Sequence, residues 1–291
     1  MSARPSRRDL LFGAAAGVGG GWALAADRLG AIEDRVGGRL GVAALDMASG
    51  HRLAHRAGER FAMCSTFKVL AVSALLAKID RGGEHLDRFV PYGPADLLPY
   101  APVTSAHVGE GGMRLSALCA AAIEQSDNTA ANLILARIGG PAGWTGFARA
   151  IGDPISRLDR TEPALNTAEP GDARDTTAPQ AMLSDLRAVA AGGVLSPDSR
   201  ARLVGWMVDC ETGQGRLRAG LPHGWRVGDK TGTGDGGTAN DMAIAFAPDG
   251  PILITSYLTG AVRALAAERD AAHAEVGRIV VEAFRGGAGR G

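Results

Sequence analysis

The chain is predicted to be an α+β protein: one antiparallel sheet built from its N- and C-terminal segments and flanked by helices, with an all-helical subdomain inserted. Three observations carry that expectation. Leu40–Ala48 alternates like a strand with a second near His51–Arg56, and residues 225–258 read as three more strands joined by turns, while 59–207 between them read mostly as helix. At 291 residues the chain suits one large domain or two interlocked subdomains. The division expected is 26–58 plus 208–291 for the α/β part and 59–207 for the helical part.

In chain order, residues 1–25 resemble a signal peptide. Arg4, Arg7 and Arg8 precede an apolar, Gly- and Ala-rich run from Leu10 to Ala26, and Ala23-Leu24-Ala25 fits a cleavage site before Ala26. The run is short for a membrane span. Ser6-Arg7-Arg8-Asp9-Leu10-Leu11 resembles the twin-arginine signature of bacterial export of folded proteins, with an ordinary secretory signal as the alternative. An exported, periplasmic protein is expected, without stable membrane association once the signal is removed. A short helix follows from Asp27 to Gly37, then strands over Leu40–Ala48 and His51–Arg56 around Ser49-Gly50.

From Ser65 the pattern changes. Phe67, Val69, Leu70, Val72, Leu75, Leu76 and Ile79 recur at helical spacing until Arg81-Gly82-Gly83 stops them. Further helices are expected at Leu115–Gln125, Thr129–Ile138, Ala142–Ala150, Pro179–Ala191 and Pro197–Asp209. Arg157–Asp175 carries Pro163 and Pro170 with no clear period, as a functional Ω-type loop would. Strands at Trp225–Thr233, Thr238–Ala247 and Pro251–Leu258 are separated by Gly-Asp-Gly-Gly and Pro-Asp-Gly-Pro turns, and a helix from Val262 to Phe284 closes the chain.

Composition is globular, with 46% hydrophobic and 21% charged residues, and only 5% aromatics, so the core must be aliphatic. Lysine plus arginine balance aspartate plus glutamate at 31 each, and no run of like charge points to nucleic acid. Removing the signal takes away three arginines and Asp9, which moves the formal charge from 0 to −2, too mild to imply a charged partner. Cys64, Cys119 and Cys210 are an odd count without metal-ligand spacing, so neither a zinc site nor a disulfide framework is indicated. Cys64 precedes Ser65 but no motif supplies it with a histidine, and it reads as packing.

Four short motifs carry chemistry. Ser65-Thr66-Phe67-Lys68 puts a hydroxyl and an amine one helical turn apart, so that the lysine can take the serine's proton, and free amides at the helix N-terminus can serve an oxyanion hole. Ser126-Asp127-Asn128 adds a hydroxyl to relay a proton to a leaving nitrogen and a side-chain amide to hold a substrate amide. Lys230-Thr231-Gly232, with Thr233 after it, brings positive charge near that relay and hydroxyl donors suited to a substrate carboxylate. Alone, each is as well explained by a helix cap or a turn, and a three-residue match arises by chance about once in several thousand positions. In this order, together with Glu162-Pro163-Ala164-Leu165-Asn166, they point to a serine acyl-transfer site.

The set S-x-x-K, S-D-N and K-T-G resembles that of class A β-lactamases and penicillin-binding proteins. The resemblance to the class A serine enzymes runs from about Leu40 to the C-terminal helix. It includes Arg160-Thr161-Glu162-Pro163-Ala164-Leu165-Asn166 and Gly171-Asp172-Ala173-Arg174-Asp175-Thr176-Thr177. It implies the β-lactamase/transpeptidase-like fold, a small-molecule β-lactam as substrate and no cofactor or metal; a monomer is the default expectation. Glu162 would activate the deacylating water, Asn166 would hold that water from its other side, and Arg160 and Asp175 would clamp the loop across a cis Glu162–Pro163 bond. Whether Lys68 or Glu162 deprotonates Ser65 during acylation stays open.

Departures bear on substrate range. The strand after K-T-G, Asn240–Ala245, lacks the arginine that many relatives aim at the substrate carboxylate. Arg216 stands where some relatives place a substitute, with a merely exposed arginine as the alternative. Tyr100 would wall the cleft, with core packing as its alternative. Thr233 after K-T-G, together with Arg216, resembles some broad-spectrum and carbapenem-hydrolysing relatives. Those usually join the cysteine before the nucleophile to one after K-T-G, and here Gly234 occupies the second position; the disulfide that would use Cys119 also lacks its partner. The rivals are a penicillin-binding D-alanyl-D-alanine peptidase, against which Glu162 and Asn166 argue, and a non-catalytic β-lactam sensor.

Overall fold

A computed structural model describes residues 19–285. The twin-arginine segment lies outside the described residues. The expected cleavage site falls in the first helix, α1 (Gly19–Val36), which starts earlier than the Asp27 expected. Its buried stripe, Ala25, Leu29, Ile32 and Val36, recurs at helical spacing.

Strands β1 (Arg39–Asp46) and β2 (Arg52–His55) form a hairpin, with Gly50 at φ 76° in its turn. A two-residue β3 (Phe61–Ala62) leads through a tight 3₁₀ turn, Cys64–Thr66, into α2 (Phe67–Asp80). Then come β4 (Phe89–Pro91), α3 (Thr104–His107), β5 (Gly112–Arg114), α4 (Leu115–Glu124), α5 (Asn128–Ile138) and α6 (Gly140–Ala150). After the long loop come β6 (Thr176–Thr177), α7 (Pro179–Ala190), α8 (Pro197–Val208) and α9 (Leu217–Gly220). Strands β7 (Arg226–Gly234), β8 (Thr238–Ala247) and β9 (Gly250–Thr259) and helix α10 (Ala266–Arg285) complete the described chain.

The five long strands form one sheet in the order β2-β1-β9-β8-β7, with every pair antiparallel. The α+β expectation is met, because β1 pairs with β9 from Arg39 opposite Thr259 to Asp46 opposite Ile252 and so joins the two ends of the chain. Alternation along β9 splits the core in two: Leu253 and Tyr257 pack with α2, α4 and α5, whereas Ile252, Ile254 and Leu258 pack with α1 and α10. Helix α2 is buried from Phe67 to Ala77 and forms the centre of the first core.

Two differences have physical reasons. Helix α10 begins at Ala266 rather than Val262, since Val262 and Leu265 are apolar yet 69% and 70% exposed and belong to the connection. The pairs β4–β5 and β3–β6 are short antiparallel ties of two or three residues per strand, too short for alternation to register.

Candidate active site

Strand β7 lies at the sheet's edge, and the turn before α2 is pressed against it: a side-chain carbon placed on Gly232 would lie 3.2 Å from the Ser65 amide nitrogen and 2.8 Å from the Met63 carbonyl. Ser65 therefore needs a glycine opposite it. The turn itself is strained, with Cys64 at φ 45°, a left-handed conformation that costs a non-glycine residue about 1–3 kcal/mol. Several hydrogen bonds hold it. Met63 N donates to the Asp175 carbonyl at 2.9 Å, Thr66 Oγ1 donates to the Met63 carbonyl at 2.8 Å, and Asn240 Nδ2 on β8 donates to the carbonyls of Ala62 and Met63 at 2.9 and 3.0 Å.

Lys68 is completely buried one turn further on, but its ammonium does not sit on Ser65. It donates to the Ser126 carbonyl at 2.8 Å, to Asn128 Oδ1 at 2.6 Å and to Ser126 Oγ at 3.2 Å, and it pairs with Glu162 Oε1 at 3.2 Å. Burial lowers its pKa, an effect that Glu162 opposes. Lys230, equally buried, donates to Ser126 Oγ at 3.0 Å, and burial, with a contribution from the Lys68 charge, pushes its pKa down to about 8. Ser126 thus accepts from two ammonium groups, which turns its single proton toward the cleft. It too is left-handed, at φ 58°.

Asp127 between them is structural. Its carboxylate caps α5 through Ala130 N at 2.9 Å and accepts from Val103 N, Thr104 N and Thr104 Oγ1.

The long loop brings Glu162 to the same point. Ser65 Oγ donates to Glu162 Oε1 at 3.3 Å, and Asn166 Nδ2 donates to Oε2 at 2.5 Å. Glu162 is 3% exposed and its bond to Pro163 is cis. The loop closes on itself through Arg160 Nε, which pairs with Asp175 Oδ2 at 2.5 Å, while Asp175 Oδ1 accepts from the amides of Asp159 and Arg160 at 2.7 and 2.9 Å. Asn132, which sequence reasoning missed, grips the Glu162 backbone from α5: Oδ1 accepts from its amide at 3.0 Å and Nδ2 donates to its carbonyl at 2.9 Å. The signal was present, since Asn132 stands four residues after Asn128 on one helix face.

Arg216 is placed differently from an arm reaching for substrate. Its guanidinium is tucked behind the end of β7, donating to the carbonyls of Gly232 and Asn240 at 2.9 and 2.7 Å, to Thr233 Oγ1 at 2.9 Å and to Asp270 at 2.7 Å. It is 8% exposed, neither the exposed arginine nor the free arm that the sequence left open. Thr231 Oγ1 lies 2.6 Å from Thr212 Oγ1. Tyr100 is 51% exposed, which removes core packing as its role, and its carbonyl accepts from Asn128 N at 3.0 Å.

Cys64, Cys119 and Cys210 are all buried and free. Gly234 passes so close to Cys64 that a side-chain carbon there would lie 2.7 Å from its sulfur.

A family model described as the β-lactamase enzyme family matches residues 24–284. Among curated relatives, β-lactamase CTX-M-8 of Citrobacter amalonaticus is 47% identical over 259 residues, 88% of each chain. β-Lactamase OXY-2 of Klebsiella oxytoca is 48% identical over 229 residues, 78% of this chain and 79% of that protein. Among solved structures, an ancestral class A β-lactamase (GNCA) is 57% identical with a TM-score of 0.87, covering 89% of this chain and all of its own. The last common ancestor of Gram-negative bacteria (GNCA4) class A β-lactamase is 56% identical with a TM-score of 0.88, covering 90% and 99%.

Proposed function

The chain belongs to the class A β-lactamase family, whose members are hydrolases, and from that premise we propose that it opens β-lactam antibiotics through a serine acyl-enzyme released by a glutamate-activated water. The observation that carries this reading is the Glu162 carboxylate, 3.3 Å from Ser65 Oγ through one oxygen and held by Asn166 through the other. Ser65 Oγ forms a bond to the lactam carbonyl carbon while its proton passes to Glu162 or to neutral Lys68. The C–N bond then breaks, and the ring nitrogen takes the Ser126 hydroxyl proton, which the neighbouring ammonium groups replace. Water entering beside Glu162 gives it a proton and attacks the ester carbon; the ester C–O bond then breaks and Ser65 Oγ takes that proton back from Glu162. Asn166 Oδ1, buried with no protein partner, supports the placement of that water as the acceptor of its second hydrogen.

Lys230, Thr231 and Thr233 receive the substrate carboxylate, with Arg216 holding the Thr233 hydroxyl, and Asn128 Nδ2 and Tyr100 line the substrate's other side. Lys230 is cationic below about pH 8 and neutral above it. Repeated turnover of a penicillin is therefore expected, with kcat/KM falling tenfold per pH unit above about pH 8, chiefly through KM. In K230R this limb moves to higher pH. A peptidase or a sensor would be acylated once and stall; a flat kcat/KM from pH 7 to about 10 would show that Lys230 keeps its charge through that range, and an unchanged KM in Lys230→Ala would remove it from the carboxylate site.

Export through the twin-arginine route is part of the same proposal. No helix among the described residues is long and apolar enough to cross a membrane. Changing Arg7 and Arg8 to lysine is expected to leave active precursor in the cytoplasm, as fractionation with an activity assay reads; undiminished periplasmic activity would refute the route.

A further inference from the structure

Behind Thr231 runs a row of three groups that each carry one hydrogen. Thr212 Oγ1 lies 2.6 Å from Thr231 Oγ1 and 3.3 Å from Cys210 Sγ. Thr231 belongs to β7, whereas Cys210 and Thr212 sit on the connection from α8 to α9, which is pinned where Glu211 N donates to the Glu124 carbonyl at 2.9 Å and Gln214 Nε2 donates to the Cys210 carbonyl at 3.3 Å. Cys210 is 1% exposed, and burial raises its thiol pKa, so the sulfur keeps its proton.

Counting hydrogens fixes what an anion does to this row. When a carboxylate lies against Thr231, the threonine's only proton must point outward to it. Its oxygen can then only accept from Thr212. Thr212, having spent its proton, can only accept from the Cys210 thiol. A row polarised in one direction strengthens its terminal donor, because each bond increases the dipole of the next.

We propose that Thr212, backed by Cys210, is a positioning residue for the substrate carboxylate: it turns the Thr231 hydroxyl outward and makes it a stronger donor. The inference rests on the reading of Lys230 and Thr231 as the carboxylate site. Thr212 does not touch the reacting atoms, so its effect belongs in KM and only for substrates that carry the anion.

The test compares a penicillin with its methyl ester on wild type, T212V, T212S and C210A, with melting temperatures measured alongside. For the free acid, T212V is expected to raise KM about fivefold, the worth of one hydrogen bond, with kcat within about twofold. T212S restores the wild-type KM, C210A shifts it in the same direction by less, and none of the three changes KM for the ester. Equal losses on acid and ester, or an unchanged KM for the acid in both T212V and C210A, would overturn the proposal. A wild-type enzyme that does not distinguish acid from ester would overturn the carboxylate site itself, and with it this role. Discrimination that survives T212V intact overturns the role of Thr212 alone.

Discussion

Replacing Glu162 with glutamine is expected to convert a fast hydrolase into a protein that traps its substrate. The deacylation rate should fall by about 10²- to 10⁴-fold, the usual worth of a positioned general base. Intact-protein mass spectrometry should then show an adduct of the whole substrate mass, because ring opening expels no fragment. The substitution is close to isosteric, yet an amide cannot take a proton from water and meets Lys68 Nζ, 3.2 Å from Oε1, with a dipole in place of a charge. The same variant separates the two candidate bases for acylation. If the adduct forms at the wild-type burst rate, Lys68 performs that step; if acylation slows with deacylation, Glu162 serves both. Wild-type turnover without an adduct would remove Glu162 from the mechanism.

How Lys68 sits makes this more than a formality. Its ammonium has three hydrogens and four acceptors around it, the Ser126 carbonyl, Ser126 Oγ, Asn128 Oδ1 and Glu162 Oε1, so none is left over. A charged Lys68 can accept nothing from Ser65, so it becomes a base only after giving up a proton, which burial favours. Ser65 Oγ instead finds its acceptor in Glu162.

Much of this was legible in the sequence, for reasons that differ from element to element. The span Thr238–Ala247 matches β8 at both ends, because Gly-Asp-Gly-Gly and Pro-Asp-Gly punctuate it. Ser65, Lys68, Ser126 and Lys230 were legible as a set because their motifs are short and local. Contacts made by single polar residues across long sequence separations were not. Asn240 braces the Ser65 turn from 175 positions away or more, and nothing around it in sequence announces Ala62 or Met63. The helical spacing places the helix N-terminus at Ser65, whereas a turn with Cys64 in the left-handed region precedes it and α2 starts only at Phe67. Arg216 was legible as a charge near β7, but its use depends on β8 and α10 closing around it, which local pattern does not encode.

Asp175 is expected to be the residue on which the catalytic loop most depends for its shape. Its carboxylate is 1% exposed and accepts from Arg160 Nε and from the amides of Asp159 and Arg160, while its own carbonyl accepts from Met63 N. One residue therefore ties both ends of the loop to each other and to the turn that carries Ser65. Packing cannot replace it, because the far side of residues 168–174 borders a cavity of about 570 Å³ lined in part by Arg39, Arg60, Phe61 and Arg174. Asp175→Ala leaves Arg160, 20% exposed at its side chain, without its close partner and two amides without an acceptor. Removing one member of a buried pair costs about 3–5 kcal/mol. At about 2–4 °C per kcal/mol for a chain of this size, the melting temperature should drop by about 6–20 °C. Activity should fall further than stability, because Glu162 rides on the loop and a misplacement of about 1 Å can cost 10²-fold in rate. Deacylation should suffer more than acylation, since Ser65, Ser126 and Lys230 stand on other elements. Thermal denaturation and single-turnover kinetics check both parts, and a variant with a wild-type melting temperature and deacylation rate would show that the loop is held by something other than this clamp.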